Sequence, residues 1–194
     1  VRKDFYFKRK KNAGELFIAP DVYSFDSFLR VYLSSALNEG DGLLIHSCGF
    51  RFLNRGFVFP GKSGAGKTTV SRIFSGLEVL SDELVPLRFL NDKAVVFSSP
   101  FWGEMKNPNK GCLRADLSKI FFIRKHENNF EIPLERKSAF LKILRCVMNF
   151  DKRRKICEKI AKKAALLSSF ERSILFFSRT DSLLNYFRDK SYIE

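Results

Sequence analysis

One short run of residues, 61–68, has the composition of a loop that binds a chain of phosphates. It reads GKSGAGKT and fits the pattern GxxxxGK[ST] completely. Such a loop has little side-chain bulk, so several backbone N–H groups can turn toward phosphate oxygens. The pattern assigns Lys67 to the β- and γ-phosphates and the Thr68 hydroxyl to Mg²⁺. The predicted cofactors are therefore ATP and Mg²⁺. The predicted binding residues are Gly61, Lys62, Ser63, Gly64, Ala65, Gly66, Lys67, Thr68 and Thr69.

The segments on both sides of this loop agree with the motif. Residues 56–59 are apolar and predict a strand, whereas residues 69–74 have the spacing of a helix. A phosphate-binding loop of this type connects a strand to a helix, and the helix N-terminus adds a partial positive charge. The alternative interpretation of residues 61–68 is an ordinary glycine-rich turn, which does not require a strand before it and a helix after it.

Two adjacent carboxylates, Asp82 and Glu83, follow Lys67 by 15 and 16 residues. This spacing leaves room for one helix and one returning strand, so we expect the pair beside the loop. Mg²⁺ prefers oxygen ligands, and an attacking hydroxyl needs a proton acceptor. Because adjacent strand residues point to opposite faces, both carboxylates can serve one site only at a strand end or a bulge. The alternative is a surface turn without a chemical role.

A histidine, His46, lies in the apolar run LLIHSC, fifteen residues before Gly61. An isolated histidine in an apolar strand is often a core residue with satisfied ring nitrogens. Histidine is also the side chain whose charge changes most readily near neutral pH. From the residues alone, both interpretations of His46 stay open.

Five segments together resemble the catalytic domain of HPr kinase/phosphorylase and its relatives, which share a P-loop fold with phosphoenolpyruvate carboxykinase. They are LLIHS around His46, GKSGAGKTT at 61–69, LSDELV at 80–85, SSPFWGE at 98–104 and LSKIFFI at 117–123. The resemblance covers about residues 40–125. It implies that His46 lies near the transferred phosphate, that Lys67 and Thr68 hold phosphate and Mg²⁺, and that the acidic pair supplies a base and a metal contact.

The chain departs from the family pattern in two places. The family usually has two aspartates where this chain has Asp82 and Glu83. Carboxykinases place a glutamate after a metal-binding aspartate, which favours Asp82 as the metal ligand, but the identity of the base stays open. A glycine-rich signature bearing a metal-binding glutamate is absent, and Glu104 is the candidate for that role. The resemblance therefore implies kinase activity without phosphorylase activity.

The composition excludes several classes of protein. The chain has 194 residues, 45% of them hydrophobic, and a formal net charge of +14, so disordered and fibrous chains are excluded. No apolar run approaches the roughly 18 residues of a membrane helix, and no signal peptide opens the sequence. We expect a soluble, cytoplasmic protein without a membrane partner. The four cysteines show no CxxC spacing and are expected to be buried, reduced thiols.

Most of the positive charge lies in two segments, residues 1–11 and 151–163. They carry six and seven Lys or Arg residues against one and two acids. In the second segment the apolar residues recur at helical spacing, which leaves the cations for the other faces. The segment is either a solvated helix face or a docking surface for an acidic peptide, tRNA or DNA.

The elements that must position these residues alternate irregularly between strand and helix. Because strands often follow one another directly, we predict an α/β fold: a single P-loop domain, residues 1–194, with a mixed central β-sheet flanked by helices. N-terminal strands and a helix (1–40) precede a nucleotide-binding core (41–125), and a C-terminal helical part (126–194) contains a late strand. The predicted helices are 24–37, 67–75, 134–149, 151–167 and a closing helix capped by Thr180 or Asp181. The predicted strands are 4–9, 16–19, 43–48, 51–53, 56–59, 78–90, 94–99, 118–125 and 173–177.

The first functional hypothesis is an ATP-dependent kinase in which Lys67 and His46 neutralise charge as the γ-phosphoryl group moves. The acceptor would be a hydroxyl of a serine in a protein or peptide, or of a small molecule. The second is a regulatory module that binds nucleotide without turnover. The third is a nucleic-acid-binding protein that uses the basic segments, although no recognisable motif supports it. The sequence does not specify the oligomeric state.

Overall fold

The computed structural model describes residues 5–9, 13–91, 93–106 and 111–194. The strands are β1 Phe5–Arg9, β2 Gly14–Ile18, β3 Gly42–Phe52, β4 Arg55–Pro60, β5 Glu78–Ser81, β6 Leu84–Leu90, β7 Lys93–Phe97, β8 Arg114–Lys125, β9 Phe130–Pro133 and β10 Arg172–Phe177. The helices are α1 Val22–Glu39, α2 Lys67–Ile73, α3 Arg136–Leu144, α4 Arg154–Leu167 and α5 Ser182–Asp189.

Among the described residues, eight strands form one mixed sheet, and β1 and β2 form a separate hairpin. Strands β4, β3, β6, β7 and β8 are neighbours in that order, and β8 also pairs with β4, so these five strands close into a ring. Strand β8 runs parallel to β4 and to β10, whereas the other pairings are antiparallel. The prediction of an α/β fold with a mixed central sheet is confirmed.

Apolar side chains fill both faces of the sheet, because successive strand residues point to opposite sides. On one face Ile120 and its neighbours pack against α3 and α4, which contribute Ile143 and Ile160. On the other face a phenylalanine-rich cluster, with Phe121 in it, packs against Phe74 and Phe187 from the α2 and α5 region. Helix α1 packs against a third cluster, which contains Leu44 of β3, Leu84 of β6 and Phe101 of the loop after β7.

Several predicted boundaries were wrong. Residues 78–90 are two strands, β5 and β6, separated by the acidic pair, and residues 42–52 are one strand rather than two. The helix predicted for 134–149 ends at Leu144, because Cys146 O accepts from His46 N–H and Met148 N–H donates to Leu44 O along β3. Strand β9 was missed, since it is a four-residue edge strand that ends in proline. The side chain of Asp181 makes no capping hydrogen bond to α5.

Other sequence expectations have mixed outcomes. Cys48 and Cys146 are buried free thiols, but Cys112 and Cys157 are exposed, so the expectation of four buried thiols was wrong.

Within the described ranges, no helix combines the length and apolarity needed to cross a membrane. Of the basic segment 1–11, residues 1–4, 10 and 11 lie outside the described residues.

Candidate functional site

The glycine loop, residues 61–66, connects the end of β4 to the start of α2. Gly64 and Gly66 have φ values of +78° and +108°, in the left-handed region that residues with a Cβ rarely adopt. A Cβ at position 66 would also lie 2.8 Å from Cζ of Phe177. Backbone conformation therefore requires glycine at both positions, and packing requires it again at position 66.

The loop and the first turn of α2 carry backbone N–H groups that the protein does not use. Within the described ranges, no acceptor is bonded to the N–H groups of Ser63, Gly64, Gly66, Lys67, Thr68 and Thr69. The same six residues line a cavity of about 490 Å³. Unpaired amides grouped around a cavity are suited to bind the oxygens of a phosphate chain.

Lys67 is buried at the edge of this cavity, and its side chain contacts the first two residues of the glycine loop. Its Nζ donates to the carbonyl oxygens of Gly61 and Lys62, each at 3.0 Å. Burial lowers the pKa of Lys67, and the carboxylates of Glu83 and Asp82 act in the opposite direction. Lys67 therefore contacts the loop through its ammonium group and lines the same cavity as Asp82 and Glu83.

His46 contacts the same loop carbonyl as Lys67. Its Nδ1 lies 3.1 Å from Gly61 O, and because a carbonyl oxygen only accepts, Nδ1 carries the proton and Nε2 keeps its lone pair. Burial lowers the pKa of His46, and the charge on Lys67 lowers it further. These effects favour a neutral imidazole, which can form hydrogen bonds at the cavity but contributes no positive charge in that form.

The acidic pair forms the connection between β5 and β6, at the ends of two strands. This is the position that lets adjacent residues face one site, and both Asp82 and Glu83 line the cavity. The main chain of Glu83 is tied to β3, since its carbonyl accepts from Ser47 N–H at 2.9 Å. The pair and the glycine loop are therefore held on opposite sides of β3.

The carboxylate of Asp82 anchors the segment that contains Glu104. It is only 2% exposed. Its Oδ1 accepts from Gly103 N–H at 2.7 Å, and its Oδ2 accepts from the N–H groups of Glu104 and Met105 at 2.9 and 3.1 Å. Oδ1 accepts one hydrogen bond and Oδ2 accepts two. Oδ1 therefore has more capacity left to bind a ligand.

Glu83 has a different partner, Arg30 of α1. Arg30 donates to Glu83 Oε2 at 2.8 Å and to Asp26 at 2.6 Å, and its guanidinium lies 5.0 Å from the ring centroid of Phe101. Burial opposes the charged guanidinium, but the bonds to Glu83 and Asp26 outweigh it and raise the pKa of Arg30. Arg30 was missed in the sequence. Its spacing of four residues from Asp26 indicates an ion pair along one helix, but nothing in the sequence indicates a contact with Glu83.

Three further residues complete the wall. Glu104 lines the cavity, but its exposed carboxylate pairs with Arg72 at 2.8 Å. The Thr68 hydroxyl has no hydrogen-bond partner among the described residues. Lys125 also lines the cavity and has no ion-pair partner in the described part of the chain. It was missed, because only the pairing of β4 with β8, which the sequence does not specify, brings the end of β8 beside the glycine loop.

The structure thus brings together His46, Lys67, Thr68, Asp82, Glu83 and Glu104 around one cavity. Of the predicted binding residues, Gly61, Lys62 and Ala65 do not line it. They border a second, smaller cavity.

The donor set fits a Mg²⁺ ion that arrives with a nucleotide. No group of three or more His, Cys, Asp or Glu side chains in the described ranges could hold a metal ion. Magnesium in nucleotide sites is usually held by one or two carboxylates together with phosphate oxygens and water. The Thr68 hydroxyl and Asp82 Oδ1 could provide such partial coordination.

Comparison with known proteins found no protein-family model that matches this chain and no significant match to a curated protein.

Proposed function

We propose that this chain is an ATP-dependent, Mg²⁺-assisted phosphotransferase that moves the γ-phosphoryl group to a hydroxyl. The preferred acceptor is a serine of a protein or peptide, and the alternative is a small hydroxyl-bearing molecule. One observation carries the proposal: unpaired loop amides and two carboxylates line the same cavity. The resemblance to the HPr kinase/phosphorylase catalytic domain, and with it a P-loop fold, is part of the proposal.

The loop and its lysine would bind the triphosphate. The unpaired amides of residues 63, 64 and 66–69 would contact phosphate oxygens, and the ammonium of Lys67, now held by Gly61 O and Lys62 O, would contact the β- and γ-phosphates. Lys125 adds a second positive charge to the same cavity. Thr68 and Asp82 would hold a Mg²⁺ ion that comes with the nucleotide, and the chemistry supplied by this ion would be polarisation of the transferring group.

The contacts of the acidic pair favour Glu83 as the base. Asp82 accepts three backbone N–H groups, whereas the described contacts of Glu83 involve only Oε2. Glu83 would take the proton of the acceptor hydroxyl while the acceptor oxygen bonds to the γ-phosphorus. The bond between that phosphorus and the β–γ bridging oxygen breaks, and ADP leaves with the electron pair. Neutral His46, with its proton on Nδ1, would accept a hydrogen bond at Nε2.

Transfer of labelled γ-phosphate from ATP to serine-containing peptides tests the proposal. Glu83→Gln should lower kcat by about 10²–10⁴-fold with little change in ATP affinity, because a general base acts in the transition state. Glu78→Gln is the matched control, since Glu78 is an exposed carboxylate paired with Arg51 and does not line the cavity. Equal activity of the native chain and Glu83→Gln would contradict the assignment of the base.

A second candidate function is a nucleotide-binding module without turnover. The observation that favours it is that both carboxylates already have protein partners. The module predicts that ATP binds and that Lys67→Ala weakens binding, but that no phosphate reaches water, serine peptides or small alcohols. Measuring binding and transfer on the same preparation separates the two functions.

A further inference from the structure

A second cavity, of about 310 Å³, lies against the beginning of the glycine loop. Gly61 and Lys62 form one side, Phe122 of β8 lies in its wall, and Lys142, Arg145 and Cys146 at the end of α3 form another side. The two cavities share no lining residue. Since Gly61 O also accepts from Lys67 and lies beside His46, one peptide segment separates the second cavity from residues of the first.

The polar lining of this cavity is positively charged. Lys62, Lys142 and Arg145 line it, and no acidic residue does. Lys62 and Arg145 are exposed and Lys142 is partly buried, and none of the three forms an ion pair in the described part of the chain. Elsewhere Arg30 pairs with Glu83, and Lys119 pairs with Glu131. Three unpaired cations at one cavity repel one another, and an anion would relieve that repulsion.

One further contact places the Lys142 side chain at the wall of this cavity. The Lys142 ammonium lies 5.9 Å from the ring centroid of Phe122. Burial raises the pKa of the Cys146 thiol, and Lys67, Lys62 and Lys142 all act in the opposite direction. Cys146 lines the same cavity as Lys62 of the glycine loop and Lys142 of α3.

Stabilisation of a helix terminus does not account for this arrangement. Lys142 and Arg145 belong to the end of α3, where positive side chains interact favourably with the helix dipole. Lys62 comes from the glycine loop, on a separate element, and contributes to the same cavity. The apolar side chains of the lining, which include Phe122, provide a surface against which the carbon atoms of a ligand can pack.

We propose that this second cavity is an anion-binding subsite that holds a phosphate or carboxylate group of the phosphoryl acceptor. Arg145 can form paired hydrogen bonds to such a group, and Lys62 and Lys142 supply point charges. The identification of the ligand as part of the acceptor rests on the proposed phosphotransferase function. Binding of an anion does not depend on that function.

The first experiment follows inorganic phosphate by backbone amide NMR. In the native chain, phosphate should shift the amides of residues 143–147 as well as those of the glycine loop. The double variant Lys142→Gln/Arg145→Gln should weaken the response at 143–147 at least about tenfold while the response at 63–69 persists. Lys155→Gln/Lys162→Gln removes the same charge from exposed positions on α4 and should leave both responses unchanged. No response at 143–147, or equal loss in both double variants, would overturn the subsite.

The second experiment distinguishes an acceptor group from a free ion. Two serine peptides are compared, one with Asp and Glu beside the serine and one with Asn and Gln at the same positions. The double variant should raise KM for the acidic peptide about tenfold, with kcat and the KM for ATP unchanged, and should not affect the amide peptide. Unchanged KM together with lost phosphate binding would overturn the assignment to the acceptor in favour of a free phosphate ion. If the native chain transfers no phosphate, the proposed function fails, while the NMR titration still decides whether the subsite exists.

Discussion

The neighbouring carboxylates of Asp82 and Glu83 have separate partners, and this difference suggests separate roles. Three backbone N–H groups hold Asp82, so this residue fixes the segment 103–105 against the cavity. A guanidinium holds Glu83, and its second oxygen has no described contact. A charged hydrogen bond from Arg30 fixes the direction of the Glu83 carboxylate without occupying both oxygens.

If Glu83 is the base, Arg30 should act as a positioning residue. Arg30→Ala should lower kcat for phosphoryl transfer by about 10–100-fold and leave ATP affinity within about twofold, because Arg30 does not line the cavity. Arg30→Lys should restore part of kcat through a single charged contact. Steady-state kinetics measure kcat for each variant, and ATP titration measures its affinity for ATP.

Arg51→Ala is the control for this variant, because the Arg51–Glu78 pair is remote from the cavity. A parallel fall of kcat in Arg30→Ala and Arg51→Ala would show a general effect on folding instead of positioning.

At the scale of elements, the basic segment 151–163 is largely engaged within the protein. Arg153 and Arg154 form ion pairs with acidic residues. Lys159 and Lys163 donate to carbonyl oxygens at the end of α1 and the start of β3. Cations bound in this way are less able to contact an external polyanion, which weakens the hypothesis of nucleic-acid binding.

Lys163 should be a major support of the contact between α4 and α1. Its Nζ lies 2.7–2.9 Å from four carbonyl oxygens, those of Leu37, Asn38, Gly40 and Gly42, and its three N–H groups are shared among them. Lys163→Met should therefore lower the free energy of unfolding by about 2–3 kcal/mol, since the carbonyls at the end of α1 lose their donor. Denaturant unfolding measures this change.

The adjacent substitution Lys162→Met provides the comparison for Lys163. Lys162 is exposed on the same helix and makes no described hydrogen bond, so its loss should change stability by less than about 0.5 kcal/mol. Similar effects of the two substitutions would contradict the capping role of Lys163.

At the scale of the whole molecule, the closed ring of five strands determines which strand ends lie next to one another. Strands β4 and β8 run parallel, so the glycine loop and Lys125 follow strands that end at the same edge. The antiparallel β3 brings His46 to the loop and Glu83 to the opposite side of the cavity. Side chains from distant parts of the sequence therefore share one site because of strand order and direction.

Burial in this fold should divide the four thiols into two classes. In the native chain at pH 8, Cys112 and Cys157 should react quickly with a chromogenic disulfide, because both are exposed. Cys48 and Cys146 should react only on unfolding, since burial raises the pKa of Cys48 to about 12 and also raises that of Cys146. Absorbance should show two equivalents before and four after addition of denaturant.

The double variant Cys112→Ser/Cys157→Ser should show no fast phase in the same assay. A fast phase that remained in this variant would mean that a buried thiol is accessible in solution.

The sequence by itself determined the local features: the glycine loop between a strand and a helix, and the α/β class with a mixed sheet. These features depend on backbone conformation and periodicity over a few residues, as at Gly64 and Gly66. Only the tertiary structure decided that Asp82 binds three amides, that Arg30 pairs with Glu83, and that Lys62, Lys142 and Arg145 share a cavity. Such contacts join residues far apart in the chain, because strand order, helix packing and burial bring them within a few ångströms, and no local spacing encodes that proximity.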